Sequence, residues 1–139
     1  MTSANLDLVR SIYEDWGRGD FGRTGEWADP DIEWARFGGE GAGAWTGLGA
    51  MTEAVGETLG GWEDLRAHAD EYIDVDEDRV LVLTRWSGRE KGSGSDAQAL
   101  RANLFRLRDG KVVRLIFYWD RDRALTDLGL PLDTGSADA

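Results

Sequence analysis

The stretch AQALRANLFRLRDGKVVRLIFYW, residues 97–119, followed by Asp120, decides the fold. Two runs rich in β-forming residues flank Arg108-Asp109-Gly110-Lys111, a strong short-range hairpin signal. Two turns fit it. A two-residue type I′ turn at Asp109-Gly110 sets Phe105 beside Arg114 and Arg101 beside Tyr118. A three-residue loop with Gly110 left-handed in a bulge instead pairs Phe105 with Val113, Asn103 with Leu115, Arg101 with Phe117 and Ala99 with Trp119. The second is preferred, because it gathers one aromatic face whose polar side chains are Arg101 and Asn103. The other face then holds Leu100, Ala102, Leu104, Ile116 and Tyr118, with Arg106 and Arg114 toward the turn. Both faces are mostly apolar, whereas a half-solvated antiparallel strand alternates cleanly. The sheet is therefore expected to be covered on both sides.

The rest of the composition bounds the class. A chain of 139 residues, 31% charged and 41% hydrophobic, is an ordinary globular composition, long enough for one domain with a real core. A formal net charge of −11 argues against nucleic acid or an anionic membrane as partner, since phosphate contacts need clustered Lys and Arg. Cysteine is absent, which excludes disulfides and thiolate metal sites. No apolar run approaches the ~20 residues of a membrane span. The opening MTSANLDLV lacks the basic start and apolar stretch of a signal peptide, so a cytoplasmic location is expected.

Taken in order, Leu6, Val9, Tyr13 and Trp16 recur at helical spacing and predict a first helix from about Asn5 to Gly17, capped by Asn5 or Ser3. A shorter helix is expected over Phe21 to Ala28, stopping before Asp29-Pro30. Asp31 to Phe37 alternates as a strand, with Ile32, Trp34 and Arg36 on one face. GGEGAGAWTGLG, residues 38–49, lacks the context of a nucleotide loop and reads as a mobile loop, with Trp45 folding over a pocket. A third helix spans about Ala50 to Leu59. Trp62 to Val75 and Val80 to Glu90 form a hairpin around Asp76-Glu77-Asp78-Arg79. Asp120 or Asp122 caps a last short helix, Arg121 to Leu128, ended by Gly129. Residues 1–132 are expected to be one domain and 133–139 a disordered tail. Helices packed on one face of a curved antiparallel sheet make an α+β fold.

Several of these segments resemble the SnoaL-like branch of the nuclear transport factor 2-like superfamily: the opening helix ending WGRGDF, GLGAMTEAV, IDVDEDRVLVL and, most specifically, LFRLRDGKVVRLIFYWDRDRALTDLGL. The resemblance covers nearly the whole chain. It implies a cone, in which the sheet curls around the N-terminal helices and leaves an internal apolar pocket at its open end. It does not fix an activity, because this fold hosts isomerases, epoxide hydrolases, dehydratases, cyclases and binding modules. The Arg/Asp/Asp set of limonene-epoxide-hydrolase-like enzymes falls on Thr84, Trp86 and Phe117. The base, tyrosine and acid of ketosteroid-isomerase-like enzymes fall on Trp34, Ile12 and Asn103, with Tyr13 one position off and pointing elsewhere. Scytalone-dehydratase-like enzymes need two histidines, and this chain has one.

Within such a cone the chemistry-bearing candidates are few. His68, read on a strand face with Arg66, Asp70 and Tyr72, is a candidate general base, against the plainer reading of an exposed histidine. Asp120, near the expected cone mouth, is a candidate acid or base, against the plainer reading of a helix cap. Arg101 and Asn103 lie in an aromatic wall and need partners, either a ligand or an internal group such as Glu14 or Glu26. With Trp34, Trp86, Phe117 and Trp119 they are the candidate substrate-binding residues, and Phe105 belongs to the same wall. No metal or other cofactor is expected, since one histidine and scattered acidic pairs give no ligand set. The expected function is a pocket for a small apolar or aromatic molecule, with cofactor-independent isomerisation, cyclisation, hydration or dehydration as its chemistry. The alternative is a non-catalytic ligand-binding or interaction domain of the same fold. A homodimer through the apolar face of Leu100, Ala102, Leu104, Ile116 and Tyr118 is expected in either case.

Overall fold

A computed structural model describes residues 3–38 and 42–130. The expected tail, 133–139, lies outside them. Helix α1 (Ser3–Gly17) buries Val9, Tyr13 and Trp16 of the predicted stripe together with Ile12, while Leu6 stays only partly buried. Asn5 lies inside the helix and donates to the Glu77 carbonyl, so it is not the cap. A single turn, α2 (Thr24–Trp27), replaces the longer second helix and drives Trp27 into the core. Strand β1 (Ala28–Phe37) follows. The glycine-rich segment is only partly a loop: Gly43–Thr46 forms an edge strand, β2, antiparallel to β1, with Trp45 opposite Trp34. Helix α3 (Leu48–Leu59) leads into β3 (Trp62–Asp74), β4 (Arg79–Glu90), β5 (Asp96–Arg108) and β6 (Lys111–Tyr118), and α4 (Arg121–Asp127) closes the described chain.

The six strands form one curved, open sheet in the order β2-β1-β6-β5-β4-β3. All neighbours are antiparallel except β1 and β6, which run parallel. The architecture is α+β. Its inner face packs against α1, α2 and α3, around Trp16, Trp27, Trp34, Phe105 and Leu115.

The β5–β6 register corrects both readings of the hairpin. Asp109 and Gly110 both have positive φ, 53° and 77°, and Arg108 pairs with Lys111, so the turn is the two-residue primed kind. Leu107 pairs with Val112 but Arg106 pairs with Arg114, leaving Val113 as a bulge. Beyond it Phe105 opposes Leu115 and Asn103 opposes Phe117, two places away from the expected pairs. The extra residue restores the facing that the turn alone would have reversed, so Leu107, Phe105 and Asn103 share the inner face with Val112, Leu115 and Phe117.

The outer face carries Leu81, Leu83, Ala102, Leu104, Ile116 and Tyr118, and Ala124 and Leu125 of α4 lie on it. Ala102, Leu104, Ile116 and Tyr118 are thereby buried within one chain, and only Leu100 of the expected dimer patch stays exposed. With Ala124 and Leu125 of α4 over it, most of this face is kept from water without a second copy. A two-armed contact fixes α4 there. Arg121 donates to Asp70 at 2.8 Å and to the carbonyls of Thr84 and Arg101, and Arg85 reaches the same Asp70 carboxylate at 3.3 Å.

Candidate functional site

The inner face and the helices enclose a cavity of about 350 Å³. Its wall is a patch of sheet in which β1, β6 and β5 are neighbours. Arg36 pairs with Phe117 and Phe117 with Asn103, so these three side chains stand in one row across three strands. Trp34 precedes Arg36 by two residues on the same face, and Trp119 and Arg101 extend the wall one step beyond Phe117 and Asn103. Trp86 of β4 lies within 5.9 Å of the Phe117 ring, and Trp34 meets that ring edge-on at 5.4 Å. Trp16 and Phe21 close the cavity from the α1 side, Met51, Val55, Thr58 and Leu59 from α3, and Trp62 and Leu65 from β3.

Polar groups on this wall are sparse and differ in how they are satisfied. Asn103 is fully buried. Its Nδ2 donates to the Tyr13 hydroxyl at 2.9 Å, and that hydroxyl lies 2.7 Å from Thr84 Oγ1. Thr84 in turn donates to the Val82 carbonyl, so one consistent direction runs from Asn103 through Tyr13 and Thr84 to the backbone. Burial pushes the Tyr13 phenol well above its ordinary value, with the bonds to Thr84 and Asn103 opposing. The tyrosine is a neutral hydrogen-bonding post. Among the described residues, Asn103 Oδ1 is left buried without a partner, and so is Trp34 Nε1. Each orphaned group costs about 1–3 kcal/mol unless something supplies its bond. The Asn103 amide therefore gives one hydrogen to Tyr13, and its Oδ1 is an acceptor that no described residue uses.

Arg101 stacks over Trp119 at 3.9 Å, and Arg36 lies over Trp34 at 6.0 Å while donating to Thr58. Burial pulls the Arg101 guanidinium below its ordinary value, and the charge of Asp120 opposes that shift at longer range. Neither Glu14 nor Glu26 reaches Arg101 or Asn103. Trp119 itself is 47% exposed and stands at the mouth rather than in the core.

All six residues proposed from the sequence as ligand contacts, Trp34, Trp86, Arg101, Asn103, Phe117 and Trp119, line the cavity together. Phe105 does not; it is core, beneath Tyr13 and Trp16. Neither acid–base candidate is there. Asp120 is the N-cap of α4, its Oδ1 accepting from the Asp122 amide at 2.9 Å. His68 packs its imidazole beside Gly17 at the end of α1. The face that it was expected to share is broken by a bulge between Ala69 and Glu71, which sends Tyr72 inward against Tyr13. Tyr13, expected to point elsewhere, reaches Asn103. Arg36 went unrecognised as a site residue, although it follows Trp34 at strand spacing. Trp62, Leu65 and the α3 residues carried no sequence signal at all. Among the described residues, no Asp, Glu or His lines this cavity and no group of three such side chains is placed to hold a metal. No described helix is long and apolar enough to cross a membrane.

Residues 9–115 match the family model described as the SnoaL-like domain. No curated protein matches the sequence. Among solved structures, the chain is similar to an NTF2-like protein of unknown function from Burkholderia pseudomallei, at 21% identity and a TM-score of 0.73, covering 90% of this chain and 97% of that one. A putative SnoaL-like polyketide cyclase from Jannaschia gives 19% identity and a TM-score of 0.73, covering 93% and 94%. TerC, co-crystallised with polyporic acid, gives 23% and 0.73, covering 91% and 98%. At these identities the likeness is one of fold.

Proposed function

The chain belongs to the SnoaL-like domain family, and from that membership we propose that its cavity holds a mostly apolar, ring-bearing organic molecule. The observation that carries the reading is the wall itself: Trp16, Trp34, Trp86 and Phe117 form a flat-sided chamber of about 350 Å³, within the size range of small-molecule sites. Asn103 Oδ1 and Trp34 Nε1 are an acceptor and a donor, buried in that wall, that no described residue uses.

Binding without chemistry is the form of this proposal that the geometry supports better. Isomerisation, cyclisation, hydration or dehydration each need a proton donor or acceptor within reach of the substrate. The described lining offers none that titrates near neutrality. Support for the catalytic reading comes from the naming of relatives such as the Jannaschia protein as putative polyketide cyclases. Titration with polyporic acid and with neutral polycyclic ketones, read by tryptophan fluorescence, tests the proposal. Saturable quenching that Phe117→Ala and Trp86→Ala abolish supports it, and no saturable response to any member overturns it.

A further inference from the structure

We infer that the molecule held in this cavity is an organic acid, its flat ring system on the Trp34–Phe117–Trp86 wall and its anionic oxygens between Arg36 and Arg101. The inference rests on the proposed function above and adds the charge of the ligand.

The ion-pair pattern of the chain carries it. With a formal charge of −11, carboxylates are in excess. Most arginines outside the cavity find one, among them Arg79 with Asp76, Arg85 and Arg121 with Asp70, and Arg106 with Asp78, while among the described residues Arg10, Arg66 and Arg108 do not. Arg36 and Arg101 both line the cavity, and among the described residues neither has a carboxylate within ion-pair distance. Instead each is held over an indole, and their remaining bonds are to neutral oxygens, Thr58 Oγ1 for Arg36 and the Leu100 carbonyl for Arg101. Cation–π stacking leaves the edge of a guanidinium free to bind a carboxylate in the two-pronged manner that arginine favours. Arg101 is partly desolvated with no counter-charge in contact, a state that an anion would relieve.

The backbone places the pair well. Arg36 and Asn103 flank Phe117 on adjacent strands, and Arg101 is two residues from Asn103 on the same face. Strand spacing and rise put the two arginine Cα atoms roughly 12 Å apart. Two extended guanidinium arms span that distance with an anionic group between them. Trp119, half-exposed beside Arg101, marks this end as the mouth, so the charge sits near water and the rings go inward.

Matched probes separate this inference from the one it rests on. The full chain is titrated with 2-naphthoate and 2-naphthamide, and with the anthracene carboxylate and its amide, at low and moderate salt. Each acid should bind at least tenfold more tightly than its amide. Arg36→Gln and Arg101→Gln should each reduce acid binding at least fivefold more than they reduce amide binding. Arg101→Lys, which keeps the charge, should retain the acid preference. Amides that bind as well as acids, or glutamine variants that weaken both alike, overturn the anionic class and leave the cavity reading standing. If neither acids nor amides bind, the cavity reading falls and the inference with it.

Discussion

Asn103 and Tyr13, ninety positions apart in the chain, share a 2.9 Å hydrogen bond in which the amide Nδ2 donates to the phenol oxygen. The bond ties the middle of β5 to α1 and fixes the rotamer of the one fully buried amide on the cavity wall. Tyr13→Phe removes that oxygen, which also lies 2.7 Å from Thr84 Oγ1. Two buried groups then lose a partner together, and the expected cost is about 1–3 kcal/mol. Urea unfolding measures it. An unchanged midpoint would show that the network contributes nothing to the fold.

Asp70 ties α4 to the outer face. Burial raises its carboxyl, but the hydrogen bonds and charges of Arg121 and Arg85 outweigh that and hold it below the ordinary value of an aspartate. A carboxyl depressed in the folded state stabilises above its unfolded pKa of about 3.9, and that contribution is lost as pH falls through the lower folded value. Asp70→Asn should therefore cost about 1 kcal/mol at pH 7, reduced by solvent screening at this partly exposed site. The gap to the wild type should narrow below about pH 4. A gap that stays constant from pH 7 to pH 3 would remove Asp70 as its source.

The hairpin shows how far the sequence was legible and where it stopped. Asp109-Gly110 demands a two-residue primed turn, which sets odd residues of β5 against even residues of β6. The apolar sorting of Phe105, Asn103, Leu115 and Phe117 demands odd against odd. Each signal was readable, and they conflict. The chain satisfies both by spending Val113 on a bulge, and nothing in a valine marks it as the unpaired residue. The composition of the wall survived the wrong register because face depends on parity alone. Arg36 and Trp34 alternate visibly, so half of the arginine pair was within reach. Tyr13 was not: which of two neighbouring helical residues meets a strand depends on how α1 rotates over the sheet. The place of α4 was equally hidden, because a short helix after a turn can pack on either face. The edge strand β2 lay beneath glycines that disguise it, its one signal being Trp45.

Deleting Val113 tests that account of the hairpin. With Asp109-Gly110 unchanged, Arg114 would follow Val112 directly, so Arg106–Arg114, Phe105–Leu115 and Asn103–Phe117 keep their pairing and Leu115 and Phe117 stay inward in a regular ladder. The expected result is that cooperative thermal unfolding and the fixed tryptophan environment in near-ultraviolet circular dichroism are both retained. A deletion variant that loses both would show that Val113 is not the unpaired residue.

Coverage of the outer face by Ala124 and Leu125 predicts that this surface does not join two copies. Leu100 is the one exposed member of the patch at 52%. Leu100→Lys should leave the sedimentation coefficient at micromolar concentration unchanged. A dimer that Leu100→Lys converts to monomer would restore that face as an interface.

The central claim is that the inner cavity receives a ring-bearing ligand. It is tested most directly by following the indole N–H resonances of ¹⁵N-labelled protein during titration with 2-naphthoate. Trp34 Nε1 has no partner among the described residues, and Trp16, Trp62, Trp86 and Trp119 line the same space. These resonances should shift together along one saturable curve, while the backbone amides of Leu104 and Leu125 on the outer face stay in place. Shifts confined to the outer face, or indole resonances that do not move at saturating ligand, would contradict it.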